Sequence, residues 1–120
     1  MEEKHRPSSS GVTVSYLQEY LKGKDFNPDN PMGYVLKLVE EVGELSSAIH
    51  KGNTPAKEDD FRGSIEEELW DVMYYTLCIA NLYDIQLEKW IKIKEDYNNR
   101  RYHNGAVFQP GESAQTQSET

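Results

Sequence analysis

The 120-residue chain has a single cysteine, Cys78, so no internal disulfide is available and the fold must rest on packing alone. Basic residues are scarce: 13 Lys and Arg against 21 Asp and Glu leave a net charge of −8, which argues against a general nucleic-acid binder. No apolar run reaches the length of about 18 residues that a membrane span needs, and the charged N-terminus is not followed by an apolar segment. No membrane attachment is therefore expected, and the chain reads as cytoplasmic. β-Branched residues in alternation are also missing, so no sheet is expected. Hydrophobic residues are sparse at both ends, and residues 1–12 and 104–120 read as disordered tails around one helical domain over 13–103. A domain that small has a modest core, which favours self-association as a homodimer or homotetramer.

What is present is helix punctuation. Thr13 or Ser15 can cap a short helix through Tyr16, Leu17, Tyr20 and Leu21, closed by Gly23. Asn30 and Pro31 form an N-cap and first-turn pair that opens a longer helix, which Gly52 ends. A connector rich in charge follows over 52–63. Ser64 with Glu67 makes a capping box for a third helix running to about Tyr83. Asp84 can cap a last helix from Ile85 to about Tyr102. The expected architecture is an all-α bundle of four to five helices with short loops.

Two of these helices carry acids in a repeated spacing: Glu40-Glu41-x-x-Glu44 and Glu68-x-x-Asp71. Residues three apart lie roughly 60° apart around a helix, so Glu41 with Glu44, and Glu68 with Asp71, each present two oxygen donors to one side. The first motif alone is equally what a solvated face offers, because Met32, Val35, Leu36, Val39, Val42, Leu45 and Ile49 fill an apolar arc opposite the acids. The second helix breaks the tie. From Val72 to Ala80 it has no charged residue on any face, so it is expected to be buried nearly all round, with Glu68 and Asp71 pointing into protein. Two carboxylates about 4 Å apart repel by roughly 4 kcal/mol at an effective dielectric near 20, so several in one cleft require a cation. All-oxygen ligation suits Mg²⁺, with Mn²⁺ as the alternative. Both acid pairs lack the histidine of a Glu-x-x-His pair, and His50 points away from Glu44, so iron is disfavoured. Gly43 between the acids permits a close approach or is merely tolerated. Cys78 reads as a small buried hydrophobe.

These residues resemble the all-α nucleoside triphosphate pyrophosphohydrolases, the MazG-like and dimeric dUTPase superfamily. The match is carried by Glu40-Glu41-Val42-Gly43-Glu44-Leu45, by Glu67-Glu68-Leu69-Trp70-Asp71-Val72, and by Lys94-x-Asp96-x-Asn98-x-Arg100-Arg101-Tyr102, which looks like the C-terminal motif of the dCTP pyrophosphatase branch. Together they span about residues 31 to 103. The resemblance implies cleavage of a nucleoside triphosphate to monophosphate and pyrophosphate, as a nucleotide-pool house-cleaning activity. It also implies Mg²⁺ held by Glu41, Glu44, Glu68 and Asp71, with Glu40 behind them or acting as base for the attacking water. Lys94, Arg101 and Tyr102 would clamp phosphates, Asn98 would bond phosphate or sugar, and Tyr75 would touch the sugar. One departure lies at His50-Lys51, where pyrimidine-selective relatives carry a tryptophan; Tyr16 and Phe26 are the aromatic substitutes on offer. Phosphoribosyl-ATP hydrolysis and a non-catalytic interaction module are the competing expectations.

Overall fold

In the computed structural model, which describes residues 11–55, 57–102 and 105–111, the chain forms four helices and, among those residues, no strand. They are α1 (Val14–Lys24), α2 (Pro31–Lys51), α3 (Ile65–Leu82) and α4 (Leu87–Tyr102). No helix among the described residues is long and apolar enough to cross a membrane. Apart from 11, 12 and 105–111, the expected tails lie outside the described residues. The chain divides into two units, one ending at Gln86 and the other starting at Leu87.

Capping chemistry sets most of the helix ends in the first unit. Thr13, not Ser15, caps α1, its hydroxyl accepting the Tyr16 amide at 3.0 Å. α1 runs one residue beyond Gly23, because Asp25 fixes the end. The Asp25 amide donates to the Leu21 carbonyl, and its carboxylate accepts from Tyr34 Oη at 2.8 Å and Tyr74 Oη at 2.7 Å. Asn30 caps α2 by accepting the Gly33 amide at 3.1 Å. Gly33 is needed there, since a Cβ would collide with the Asn30 side chain. Gly52 closes α2 at φ 67°, with the Asn53 and Gly52 amides bonded back to Ala48 and Ile49, a Schellman arrangement.

Asp84 departs from expectation. It does not cap the last helix, which starts later, at Leu87. It occupies the left-handed region at φ 55° and ends α3 with the same Schellman pair, Ile85 to Ala80 and Asp84 to Asn81. Aspartate tolerates this conformation better than most residues, so one local role displaced another.

α3 packs against both α1 and α2. Against α1 the seam is polar as well as apolar: Leu21 and Cys78 are fully buried, and beside them Gln18 Nε2 donates to Asn81 Oδ1 (3.1 Å) and to the Ile85 carbonyl (2.8 Å). Asn81 Nδ2 returns a bond to the Gln18 carbonyl at 2.8 Å. Against α2 the inward stripe is Tyr34, Leu38, Glu41, Leu45 and Ala48, so the apolar arc expected for α2 is displaced around the helix. Met32, Leu36 and Val39 lie roughly opposite Glu41 and are each more than 60% exposed. The expectation that α3 is covered all round also fails on one flank, where Leu69, Met73 and Thr76 are exposed in the single chain.

Exposed apolar rows at helical spacing are what an interface between copies would cover. We propose that Met32, Leu36 and Val39 belong to a self-association face. Light scattering should then return at least twice the 13.9 kDa chain mass, and a monomer that retains activity would refute the assignment.

Candidate metal centre

Glu41 stands in the middle of the inward stripe of α2, between Leu38 and Leu45, and so meets α3 instead of water. Glu68 and Asp71, one turn apart on α3, face it. One carboxylate oxygen from each of Glu41, Glu68 and Asp71 lies within 4.8 Å of the others. Glu68 is only 8% exposed, and its Oε1 is buried without a hydrogen-bond partner. A buried acceptor with no donor is costly, so the geometry asks for a positive partner.

The electrostatics agree. Burial pushes the Glu68 carboxyl up to about 7, and the close Glu41 carboxylate together with the charges of Asp71 and Glu67 acts in the same direction. Asp71 is also raised, first by burial and then by Glu41 and Glu67, with Arg62 opposing. Three converging carboxylate oxygens, one of them orphaned, form a donor set that fits a hard divalent cation such as Mg²⁺ or Mn²⁺.

The other expected acids stand apart from this group. Glu44, one turn beyond Glu41, is exposed and lies outside it. Glu40 is exposed and pairs with Lys37 at 3.3 Å. His50 is exposed and stands outside this group. A Cβ on Gly43 would meet nothing within 4 Å, so this glycine serves no close approach among the described residues.

Tyr75, one turn after Asp71, lines an open cleft of about 300 Å³ together with Asp25, Asn30, Tyr34 and Lys37. Of these, Tyr34 and Lys37 precede Glu41 by two turns and one turn, so the cleft adjoins the acids along the same α2–α3 seam. Helical spacing from Glu41 could have found them. Asp25 carried no such signal, because its two tyrosine partners lie 9 and 49 residues away. Of the expected stacking aromatics, Tyr16 is exposed and stacked on Tyr20 with ring centroids 6.3 Å apart, and Phe26 lies under Lys22.

The third motif forms α4 in the second unit. Within it Arg101 Nη1 donates to Tyr97 Oη at 2.9 Å, and its guanidinium lies 5.5 Å from the Tyr102 ring centre. Lys94 Nζ lies 5.5 Å from the Tyr97 ring centre. Asn98 is half-buried. The basic groups expected to meet phosphate thus rest on aromatic rings of their own helix.

Two outcomes are expected from the acid geometry. Between pH about 4.5, where an unfolded glutamate ionises, and about 7, where Glu68 does so in the fold, the folded state holds a proton that the unfolded state has lost. Metal-free stability should therefore fall as pH rises through that window, and Glu68→Gln should flatten the fall, read as urea midpoints across pH. Separately, Glu41→Gln should leave the metal-free fold at least as stable while abolishing a metal-dependent gain. Mg²⁺ at 100 times its dissociation constant should stabilise the wild type by roughly 2.7 kcal/mol. An equal Mg²⁺ shift of Tm in both proteins would show that Glu41 is no ligand.

The MazG nucleotide pyrophosphohydrolase domain matches residues 30–104, a span that includes both acid motifs. Two crystal structures of iMazG from Vibrio DAT 722 are similar in fold and sequence. One, at 42% identity and a TM-score of 0.69, covers 73% of this chain and 99% of its own; the other, at 41% and 0.70, covers 76% and 98%. The Bacillus subtilis protein YpjD is 37% identical over 62 residues, half of this chain and 56% of its own length. The dCTP pyrophosphatase 1 of Mus musculus is 35% identical over 80 residues, 60% of this chain and 45% of its own. The chain thus spans about half the length of these two relatives. With the domain match covering more than half of the sequence, the chain belongs to the MazG nucleotide pyrophosphohydrolase family.

Proposed function

We propose that the protein is a divalent-metal-dependent nucleotide pyrophosphohydrolase that converts a (deoxy)nucleoside triphosphate and water into the monophosphate and pyrophosphate. The observation that carries this reading is the trio Glu41, Glu68 and Asp71 with the orphaned Glu68 oxygen, inside a chain of this family. Glu44 joins as a fourth ligand by rotation of its exposed side chain. A bound Mg²⁺ or Mn²⁺ would supply charge neutralisation at the phosphates and a more acidic water.

The chain's own groups do the rest. Water bonds to the α phosphorus, the bond from that phosphorus to its bridging oxygen breaks, and the electron pair leaves with pyrophosphate. Glu40, held by Lys37, accepts the proton of the attacking water. The cleft beside Tyr75 takes the sugar and base. Lys94, Asn98, Arg101 and Tyr102 are assigned to phosphate and sugar oxygens by the resemblance of their motif alone. A house-cleaning role on surplus or non-standard nucleotides follows from such an activity. The resemblance of this chain to a dCTP pyrophosphatase makes dCTP the first substrate to try.

Incubation with a panel of ribo- and deoxynucleoside triphosphates should release monophosphate and pyrophosphate in the presence of Mg²⁺ and nothing in the presence of EDTA. Chromatography of the products decides the matter. Orthophosphate with nucleoside diphosphate would overturn the assignment, and an absence of turnover on every nucleotide would point to an interaction module.

A further inference from the structure

The acid group has a cation at each end of its seam. On the side of the cleft stands Lys37, one turn before Glu41 and lining the same cavity as Tyr75. On the far side stands Arg62, in the loop that leads into α3. Glu67 lies one turn before Asp71 and Tyr75 one turn after it, so the two mark opposite ends of the acid stretch along α3. Glu67 Oε1 accepts the Gly63 amide at 2.6 Å, and Oε2 forms an ion pair with Arg62, 3.3 Å from its Nε. The capping box expected at Ser64 is therefore only half as drawn. Ser64 Oγ accepts the Glu67 amide, but the returning carboxylate reaches Gly63, one residue earlier, and holds Arg62 as well. Gly63, at φ 79°, supplies the left-handed turn that brings the loop back over the carboxylate.

A surface ion pair of this kind contributes little stability. Here one partner is mostly covered and the other is not: the Glu67 side chain is 19% exposed and the Arg62 side chain 83%. The braced end is the carboxylate, and the arginine side chain paired with it is largely exposed. The charge of Arg62 is also felt at Asp71. A planar fork held beside metal-binding acids is suited to a phosphate or diphosphate oxygen edge.

We infer that Arg62 binds the leaving pyrophosphate and that Glu67 is the positioning residue that aims it. This rests on the proposed reaction and gives it a direction. The nucleoside lies in the cleft of Tyr34, Lys37 and Tyr75, the α phosphate lies at Glu41, Glu68 and Asp71, and the β and γ phosphates run toward Arg62. One helical turn, about 5.4 Å, separates Asp71 from Glu67, comparable to the length of a diphosphate.

Product inhibition by inorganic pyrophosphate and by the nucleoside monophosphate tests the inference, with Mg²⁺ present throughout. Arg62→Ala should raise the inhibition constant for pyrophosphate roughly 10- to 100-fold and leave that for monophosphate within about twofold, as the loss of one charged hydrogen-bonding partner predicts. Arg62→Lys should restore part of the loss. Glu67→Gln keeps an acceptor for the Gly63 amide while removing the charge that holds Arg62, and should show the same selective effect, smaller in size. Equal weakening of both products, or of neither, overturns the inference. Should Arg62→Ala fail to fold, the lysine and glutamine variants decide it by the same criterion. Calorimetric binding of Mg²⁺ with pyrophosphate needs no turnover. An Arg62-dependent affinity in a protein inactive on every nucleotide would therefore uphold this site while sinking the proposed reaction. Normal pyrophosphate release with an affinity indifferent to Arg62 would sink the site alone.

Discussion

Mutual repulsion among Glu41, Glu68 and Asp71 is the constraint around which α2 and α3 are arranged. Three carboxylate oxygens within 4.8 Å of one another would separate if the helices carrying them could slide or splay, because each contact at about 4 Å is unfavourable by several kcal/mol at protein-like dielectric. They are held by a seam that is apolar on either side of them. Leu38 and Leu45 flank Glu41 on α2, and the buried end of α3 anchors the other partner through Leu77 and Ala80. Burial then acts on the acids a second time by withholding water, which is why Glu68 retains a proton to about pH 7. The strain is local, and a divalent cation is the species that relieves it most completely.

The hydrogen bonds away from the acids serve the same end. Asp25 receives two tyrosine hydroxyls, one from α2 and one from α3, and through them the loop after α1 is fastened to both helices of the seam. Burial raises the pKa of Tyr34 and Tyr74, and their bonds to Asp25 add to that, so both hydroxyls remain donors at neutral pH. At the opposite end the Gln18 and Asn81 side chains fix α1 on α3 with three bonds, two of them buried. Buried amides of this type specify register, since a slip of one turn would leave both unpaired. α3 is thereby held from two sides, and the cleft lined by Tyr34, Lys37 and Tyr75 inherits its shape from the same fastening.

Much of this was legible in the sequence wherever the determining interaction is local. Asn30 and Gly52 bound α2 as read, and Thr13 and Ser64 cap as read, because each cap needs only its own neighbours. The pairing of Glu41 with Glu68 and Asp71 was legible from spacing combined with the uncharged run of α3. Where a residue has two possible roles, the reading went astray: Asp84 ends one helix instead of starting the next, and Gly23 is passed over because Asp25 is tied down by distant tyrosines. The placement of Glu41 shows the limit most clearly. α2 is apolar over more than half its circumference, so its pattern could not say which part faces α3, and the arc centred on Met32, Leu36 and Val39 proved to be the part left uncovered. That breadth has its own logic, since a helix with two apolar faces has two partners to satisfy.

Charge around the seam also bears on how an acidic chain would accommodate the proposed anionic substrate. A net charge of −8 repels a triphosphate at long range, and screening at physiological salt confines that repulsion to about 8 Å. Within that distance the balance is local. Glu40 is already paired with Lys37, and Glu67 with Arg62, so two acids near the trio are partly neutralised. The remaining negative charge is concentrated on Glu41, Glu68 and Asp71, where a cation compensates it. In the proposed reaction, triphosphate and cation would be complementary halves of one site, and the acids that repel a nucleotide without metal would be the same ones that bind it with metal.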